Sequence, residues 1–372
     1  MNADHVIVGS GLTGAVIARL LTDAGRSVVV VDRRNHRGGN VHDHMHASGI
    51  LIHAYGPHYF RTNCDDIWSF VTRFSPFDPY EVCIKSLVDA QHENWPIAAS
   101  YIRRAVGVGW RPDFQGTPSN SEEASLAVMP RLVYEKFVKG CSEKQWGVPA
   151  RELSAELARR FDVREDDEPR LCRHRYQGIP ALGYAGLMRN MLDGIPVVLD
   201  CDYLQHRGAL PFRRSLIFTG PIDEFYGFDL GRLRYRGQNR EHTYRSDVEF
   251  VQPCGQVNFP DPTSGTHIRQ LEWKHMMPAD SVRRIRGMVL TQETTIDPAP
   301  PNDYEYPFTD HANAELYARY RRRADANPKL LVCGRLGEYK YYDMDQAIAR
   351  AMVLAQRILN VDTTASVRRR SA

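Results

Sequence analysis

Two glycine clusters and the acid between them carry the first chemistry that can be read from this chain. Residues 5–14 read HVIVGSGLTG and residues 27–40 read SVVVVDRRNHRGGN. Gly9, Gly11 and Gly14 have the GxGxxG spacing, with Leu12 and Thr13 inside the turn. An apolar run precedes the turn, a helix-like segment over 15–23 follows, and a second apolar run, 28–31, closes on Asp32. Strand, glycine turn, helix, strand and acid form the dinucleotide-binding unit. Gly9 permits the tight turn, Gly11 lets the backbone approach a pyrophosphate, and Gly14 lets the helix pack closely on the strand. The unpaired N–H groups of the helix start favour an anion. Asp32 is expected to take the adenosine ribose hydroxyls, with Arg33 beside it. The second glycine pair, Gly38-Gly39 before Asn40, suits close passage of an extended FAD rather than NAD.

The elements that must position these groups come from a chain of 372 residues, long enough for two or three domains. Hydrophobic content of 42% and a net charge of +3 make no bulk case for nucleic acid or membrane as partner. Seven cysteines are scattered without a CxxC pair, which suits free thiols in a reducing, cytoplasmic setting. No apolar run reaches membrane-spanning length, so no stable membrane insertion is expected. His53 and His58 lack partners at metal-ligand spacing, so no metal is expected; they read as packed histidines lining a cofactor.

Along the chain, residues 50–63 read as two extended pieces about a turn, and 66–95 as short strand-like runs. A Gly/Pro/Ser-rich break at 106–121 precedes helical periodicity over 122–142 and 152–160. The runs 197–199 and 216–218, the latter ending in Gly220-Pro221, return to the first sheet. Alternating segments at 234–236, 249–253, 256–259, 267–273 and 289–295 predict an antiparallel sheet. A strand at 330–333, then Gly334-Arg335 and a helix from Met344 to about 359, place a helix start at the far end of a flavin. The fold class is α/β: an FAD-binding Rossmann-like domain (1–65, 190–225, 325–362), a small helical insert and mobile lid (98–160), an antiparallel β-sheet substrate domain (66–97, 161–189, 226–324) and a disordered tail (363–372).

The stretches VGSGLTGAV, RRNHRGGN, IHAYGPHYFRTN, KGCSEKQWG, RYQGIPALGY, TGPID, HIRQLEWKH, YEYPF and GRLGEYKYYDM span nearly the whole chain. Together they resemble the bacterial UDP-galactopyranose mutase family. The resemblance implies a flavoenzyme that interconverts pyranose and furanose forms of a nucleotide-diphosphate sugar. Such an enzyme uses reduced FAD without net redox change: flavin N5 attacks the anomeric carbon, the diphosphate leaves, and the sugar recloses through another hydroxyl. It implies that Arg160 and Arg269 clamp the diphosphate, that Asp343 lies near the substrate, and that His58 serves the reaction and the flavin. Tyr306, Tyr341, Trp146 and Asn94 become substrate contacts; Gly220, Arg335 and Met344 become flavin contacts. A cellular nicotinamide-dependent reductant and a homodimer are also implied.

The same resemblance marks departures. Cys141 stands where the family has a ring that stacks on uracil, Leu171 where another site tyrosine is usual, and Arg61 where a histidine is usual. Either the nucleotide or sugar differs, with a non-uridine nucleotide as one reading, or a nearby ring such as Trp95 or Tyr176 fills the gap. Two rivals stand beside the mutase. One is an FAD-dependent oxidoreductase of the amine-oxidase type, which needs no phosphate clamp; the other is a non-catalytic protein that has kept a flavin.

Overall fold

The structure is a computed structural model describing residues 3–161, 163–308 and 310–370, with the side chains of 159, 160 and 362–370 outside that description. The first apolar run forms the strand Ala3–Val8. It lies between Val28–Val31 and Phe212–Phe218 in a parallel sheet that Val197–Val198 and Leu330–Val332 complete at five strands. Every residue of Val28–Val31 is buried, as expected of a parallel sheet covered on its faces. The helix Leu12–Asp23 packs against the closing helix Met344–Arg370. The expected return of 197–199 and 216–218 to this sheet is therefore what the chain does, and the strand expected at 330–333 joins it as Leu330–Val332.

The second sheet has seven strands, in the order Tyr306–Pro307, Tyr235–Arg245, Met288–Ile296, His267–Glu272, Gln256–Asn258, Ile84–Val88, Gln91–Trp95. It is antiparallel except where Gln256–Asn258 runs parallel to Ile84–Val88. Residues 249–253 are not a strand: the N–H groups of Val251 and Gln252 donate to the Glu272 carboxylate instead of a ladder. Residues 66–95 do not begin as strand either. The helix Asp65–Thr72 opens them, with Asp65 and Asp66 in its first turn facing the positive end of its dipole.

The helix expected over 122–142 is broken into Ser121–Leu126, Arg131–Val133, a π-turn over Tyr134–Lys139, and Gly140–Trp146. Pro130, which caps the second piece, has no N–H to continue a helix and biases the residue before it away from helical geometry. Residues 152–160 form short 3-10 turns, Ala150–Glu152 and Ala155–Arg160, rather than one helix. The backbone of 363–370, expected as a disordered tail, continues the closing helix, which meets no glycine or proline from Met344 onward.

One hydrophobic cluster runs from Ile7, Val30 and Ile217 of the parallel sheet through Met188 to Leu271 and Val289 of the second sheet and Trp273 just after its strand His267–Glu272. The two sheets thus share a core. A separate cluster of Ile102, Met129, Val133, Phe137 and Val138 lies under the helical insert. Two insert contacts are close. A Cβ on Gly140 would sit 1.8 Å from the Pro260 carbonyl oxygen. The Lys144 ammonium donates to the carbonyls of Phe259, Asp261 and His267 at 2.7–3.2 Å. The wall formed by Gly140–Trp146 is thereby tied to the hairpin that leads into His267–Glu272.

Asp223 sits at the head of the short helix Ile222–Phe225, fully buried, with one carboxylate oxygen accepting from the Leu233 N–H at 2.9 Å. Burial pushes its pKa up to about 6. An acid with a raised folded pKa holds its proton more tightly in the folded chain, so its stabilising contribution is full below about pH 4 and is lost as pH rises through 6. Asp223→Asn is expected to leave stability unchanged at pH 4. At pH 8 it should raise stability by up to about 3 kcal/mol, read as the difference in chemical-denaturation midpoints at the two pH values.

Candidate active site

The glycine turn opens a cleft of about 1110 Å³ lined by both glycine clusters, Thr219, Gly220, Gly334, Arg335 and Met344. Gly9 has φ 105°, which favours glycine, and a Cβ there would lie 2.0 Å from Thr219 Oγ1. A Cβ on Gly14 would lie 2.0 Å from the Gly9 carbonyl oxygen, so the helix rests directly on the turn. Gly11 bridges to Gly38, and the Gly38 N–H donates to the Ser10 carbonyl at 3.0 Å. The two glycine clusters are therefore one wall. The helix start at Gly11 has no side-chain cap and no acid in its first turn, so its N–H groups are left for an anion. All the residues singled out as cofactor contacts line this cleft: Gly9, Gly11, Leu12, Thr13, Gly14, Asp32, Arg33, Gly39, Asn40, His58, Gly220, Arg335 and Met344. The groove fits a dinucleotide.

Several of these side chains are already engaged. Asp32 accepts from the Ser10 N–H and hydroxyl, both at 2.7 Å, and from the Arg34 N–H at 3.0 Å. A carboxylate offers about four lone-pair sites, so one remains for a ribose hydroxyl. Arg33 forms a two-point ion pair with Glu224 at 2.7 and 2.9 Å; its charge is spent on the protein. Asn40 accepts from Arg34 at 2.8 Å. His58 Nδ1 lies 2.7 Å from the Gly56 carbonyl oxygen, which can only accept, so Nδ1 carries the proton. Burial, with His53 and Arg335 nearby, pushes the His58 pKa well down. The ring is neutral and Nε2 is an acceptor. Among the described residues no group of three or more His, Cys, Asp or Glu is placed to hold a metal ion.

A second cleft, about 760 Å³, lies between the helical insert and the second sheet. Its lining includes Trp95, Phe137, Cys141, Trp146, Phe161 and Arg269. Trp95 is parallel to Phe137, with centroids 6.5 Å apart, and edge-on to Phe161. Rings, the amide side chains Gln145 and Asn258, and an arginine in one lining suit a heterocycle joined to an anion. Of the expected substrate contacts, Cys141 and Trp146 line this cleft. Leu171 does not: it packs on the main core, and its N–H donates to the Val82 carbonyl. Asn94 does not: its Oδ1 accepts from Lys85 at 2.5 Å. Tyr176 does not fill the gap left at Cys141, because it stacks on Trp68 and donates to Asp65 at 2.6 Å. Trp95 is the suggested ring that reaches the cleft.

Between the clefts, Tyr306 and Tyr341 are parallel at 6.1 Å, with the Arg335 guanidinium 4.7 Å from the Tyr341 ring centroid. Tyr341 donates to Asp343 at 3.3 Å, and Arg61 donates to the other Asp343 oxygen at 3.2 Å. Asp343 is thus paired rather than free. The Ala155–Arg160 turn reaches the second cleft through Leu157, next to Phe161. Arg160 is expected as a clamp, but its side chain lies outside the described residues.

Sequence reading missed the group that holds Arg269. Strand register sets Arg240, Glu293 and Arg269 in one cross-strand row. Arg269 donates through Nε to one Glu293 oxygen, and Arg240 donates through Nε to the other at 2.7 Å. Arg240 also makes two bonds to the Glu305 carboxylate, at 2.8 and 2.9 Å. Glu293 is fully buried and Glu305 nearly so. The available signal was parity: Glu293 shares the buried face of its strand with Val289 and Thr291.

The family model described as UDP-galactopyranose mutase matches residues 136–341, and one described as an NAD(P)-binding Rossmann-like domain matches residues 7–74. The "Probable UDP-galactopyranose mutase" of Klebsiella pneumoniae is 30% identical over 96% of this chain and 95% of its own. The dTDP-fucopyranose mutase of Escherichia coli is 29% identical over 94% and 97%. A reduced UDP-galactopyranose mutase crystal structure superposes with TM-score 0.73 at 14% identity, over 97% of this chain and 94% of that one. An oxidoreductase structure from Methanosarcina mazei gives TM-score 0.57 at 13% identity, over 94% and 99%, a likeness of fold.

The Cys141 thiol is pushed up to about 12 by burial, so at pH 8 about one part in ten thousand is thiolate. Iodoacetamide at pH 8 is expected to modify the exposed Cys64 and to spare Cys141, read by peptide mass spectrometry.

Proposed function

The chain belongs to the UDP-galactopyranose mutase family, and from that premise we propose that it interconverts the pyranose and furanose forms of a nucleotide-diphosphate sugar with FAD in the glycine-lined cleft. The observation that carries this reading is the placing of Arg269. It lines an aromatic cleft, and among the described residues it bonds to protein only through Nε, on Glu293. Its two terminal nitrogens remain to receive a diphosphate.

Reduced FAD, when bound, supplies a nucleophilic nitrogen that can displace the diphosphate from the anomeric carbon and later release that carbon with no net redox change. The rest of the chemistry falls to the chain. The helix start at Gly11 and the glycine wall hold the cofactor pyrophosphate, and the lone pair left on Asp32 takes a ribose hydroxyl. Neutral His58 offers Nε2 as an acceptor in that cleft without adding charge. Arg269 neutralises the diphosphate as it leaves and keeps it close for return. Arg160 joins it from the insert, and Tyr306 holds the phosphates with its hydroxyl, joined by Tyr341 once its single O–H turns from Asp343 to the phosphate. Trp146 bounds the sugar. Asp343, held by Arg61 and Tyr341, orients that tyrosine rather than acting as a free base.

Trp95 and Phe161 provide ring faces for the base on the wall where Cys141 stands. The loss of a ring at Cys141, together with similarity to a dTDP-fucopyranose mutase, favours a second reading on the same chemistry: a thymidine rather than a uridine nucleotide. An oxidoreductase of the amine-oxidase type has no use for an arginine aimed into a polar-ended cleft, and this disfavours it. A cellular nicotinamide-dependent reductant is the proposed source of electrons for the flavin.

Dithionite-reduced protein is expected to convert UDP-galactofuranose or dTDP-fucofuranose to the pyranose form, followed by chromatography. Failure with both while bound flavin remains reducible would remove these two substrates and point to a different nucleotide sugar. Arg269→Met is expected to lower kcat/KM by about 100-fold or more, and Arg269→Lys to recover little, because one ammonium cannot reproduce the fork.

A further inference from the structure

The cross-strand row behind Arg269 contains more charge than a clamp needs. Two arginines and two glutamates lie within bonding distance of one another in the interior: Arg269, Glu293, Arg240 and Glu305. Arg240 lines neither cleft. Its side chain is 8% exposed, and among the described residues its bonds go to Glu293, Glu305 and the Gln238 carbonyl. Burying a pair of ions costs several kcal/mol per ion before attraction is counted, so an extra pair that touches nothing calls for a function.

The geometry supplies one. Glu293 has two oxygens, and each holds one arginine. Glu305 takes both terminal nitrogens of Arg240, which fixes the plane of that guanidinium and leaves its Nε for Glu293. Glu293 can therefore give Arg269 only one oxygen. A carboxylate and an arginine with no third party pair through two parallel bonds. In that arrangement Arg269 would turn a terminal nitrogen away from the cleft. Gly56 backs the row: a Cβ there would lie 2.9 Å from Glu293, 3.1 Å from Arg240 and 3.4 Å from Arg269. A side chain at position 56 would therefore press on all three.

We infer that Arg240 and Glu305 are positioning residues: through Glu293 they hold Arg269 to a single protein bond and so set the affinity of the second cleft for a diphosphate. This rests on the reading of Arg269 as the diphosphate clamp. The four charges sum to zero. Arg240→Met leaves the group at −1 and frees Glu293 to pair fully with Arg269. Glu305→Gln leaves it at +1 and draws Arg240 toward Glu293, which loosens the hold on Arg269. The two changes must move affinity in opposite directions, whereas damage to packing would lower it in both.

The test is calorimetric binding of UDP and of inorganic pyrophosphate to the flavin-loaded full chain. Arg240→Met is expected to weaken both ligands about tenfold or more, as loss of a supporting partner commonly does. Glu305→Gln is expected to tighten both about fivefold. The Arg240→Met/Glu305→Gln double variant restores neutrality but not the aim of Glu293, and is expected to stay weaker than the parent. If Arg240→Met does not fold, as judged by circular dichroism and flavin retention, the sign of the Glu305→Gln effect decides. Weakening in Glu305→Gln, or no change in either single variant, overturns the inference. Arg269→Met separates this from the reading beneath it. If that variant binds pyrophosphate like the parent, the clamp itself is wrong and the inference falls with it. If Arg269→Met weakens binding while Arg240→Met and Glu305→Gln leave it unmoved, the inference alone is lost.

Discussion

A diphosphate can be held in a sheltered cleft only if positive charge has first been carried into the interior, and charge there is stable only when it is paired. On the reading proposed above, the second sheet is built around that constraint. Glu293, with no exposed surface, stands between two arginines on the neighbouring strands. Antiparallel register supplies the spacing: residues opposite one another on adjacent strands lie about 5 Å apart, within reach of a guanidinium and a carboxylate. A slip of one residue in Met288–Ile296 would turn Glu293 to the face opposite Arg240 and Arg269. The row therefore constrains the register of three strands at once, and the polar end of the second cleft follows from it.

Gly56 stands between His58, which lines the first cleft, and the charged row behind Arg269, which lines the second. Its carbonyl fixes the tautomer of His58 on the dinucleotide side, and its Cα lies against Glu293 and the arginines on the other. One backbone unit without a side chain therefore separates a neutral ring from a charged row. Arg335 makes a second link. It lines the dinucleotide cleft, lies over Tyr341, and donates to the carbonyls of Tyr342 and Glu305. The shared core beneath, from Ile7 to Trp273, gives both sheets one rigid support, which suits a reaction in which two bound molecules must hold a fixed distance.

The insert is built differently. It has its own small core, and its helix is broken where Pro130 and the π-turn intervene. Its attachment is local: Gly140 lies on the Pro260 carbonyl, and Lys144 gathers carbonyls of the 259–267 hairpin. That attachment joins the wall carrying Cys141, Gln145 and Trp146 to the strand carrying Arg269. The width of the second cleft is thus determined by contacts within a few residues of the hairpin, while the identity of its wall is open to change, as Cys141 illustrates.

What this chain's sequence determined by itself was local or motif-bound. The glycine turn, the strand before it and the acid after it lie within a few tens of residues, and each depends on backbone sterics that a short stretch expresses alone. Every residue named for that cleft lines it. The tertiary structure decided the rest. Arg33 and Asp343 are charged residues beside a site, but their partners Glu224 and Arg61 come from distant segments. Leu171 and Asn94 are expected as substrate contacts, yet packing and Lys85 hold them elsewhere. Arg240, Glu293 and Glu305 carry no motif. They become one group only when strands from 235 to 306 take their register, because pairing of buried charges depends on distance in space and leaves no spacing along the chain to read.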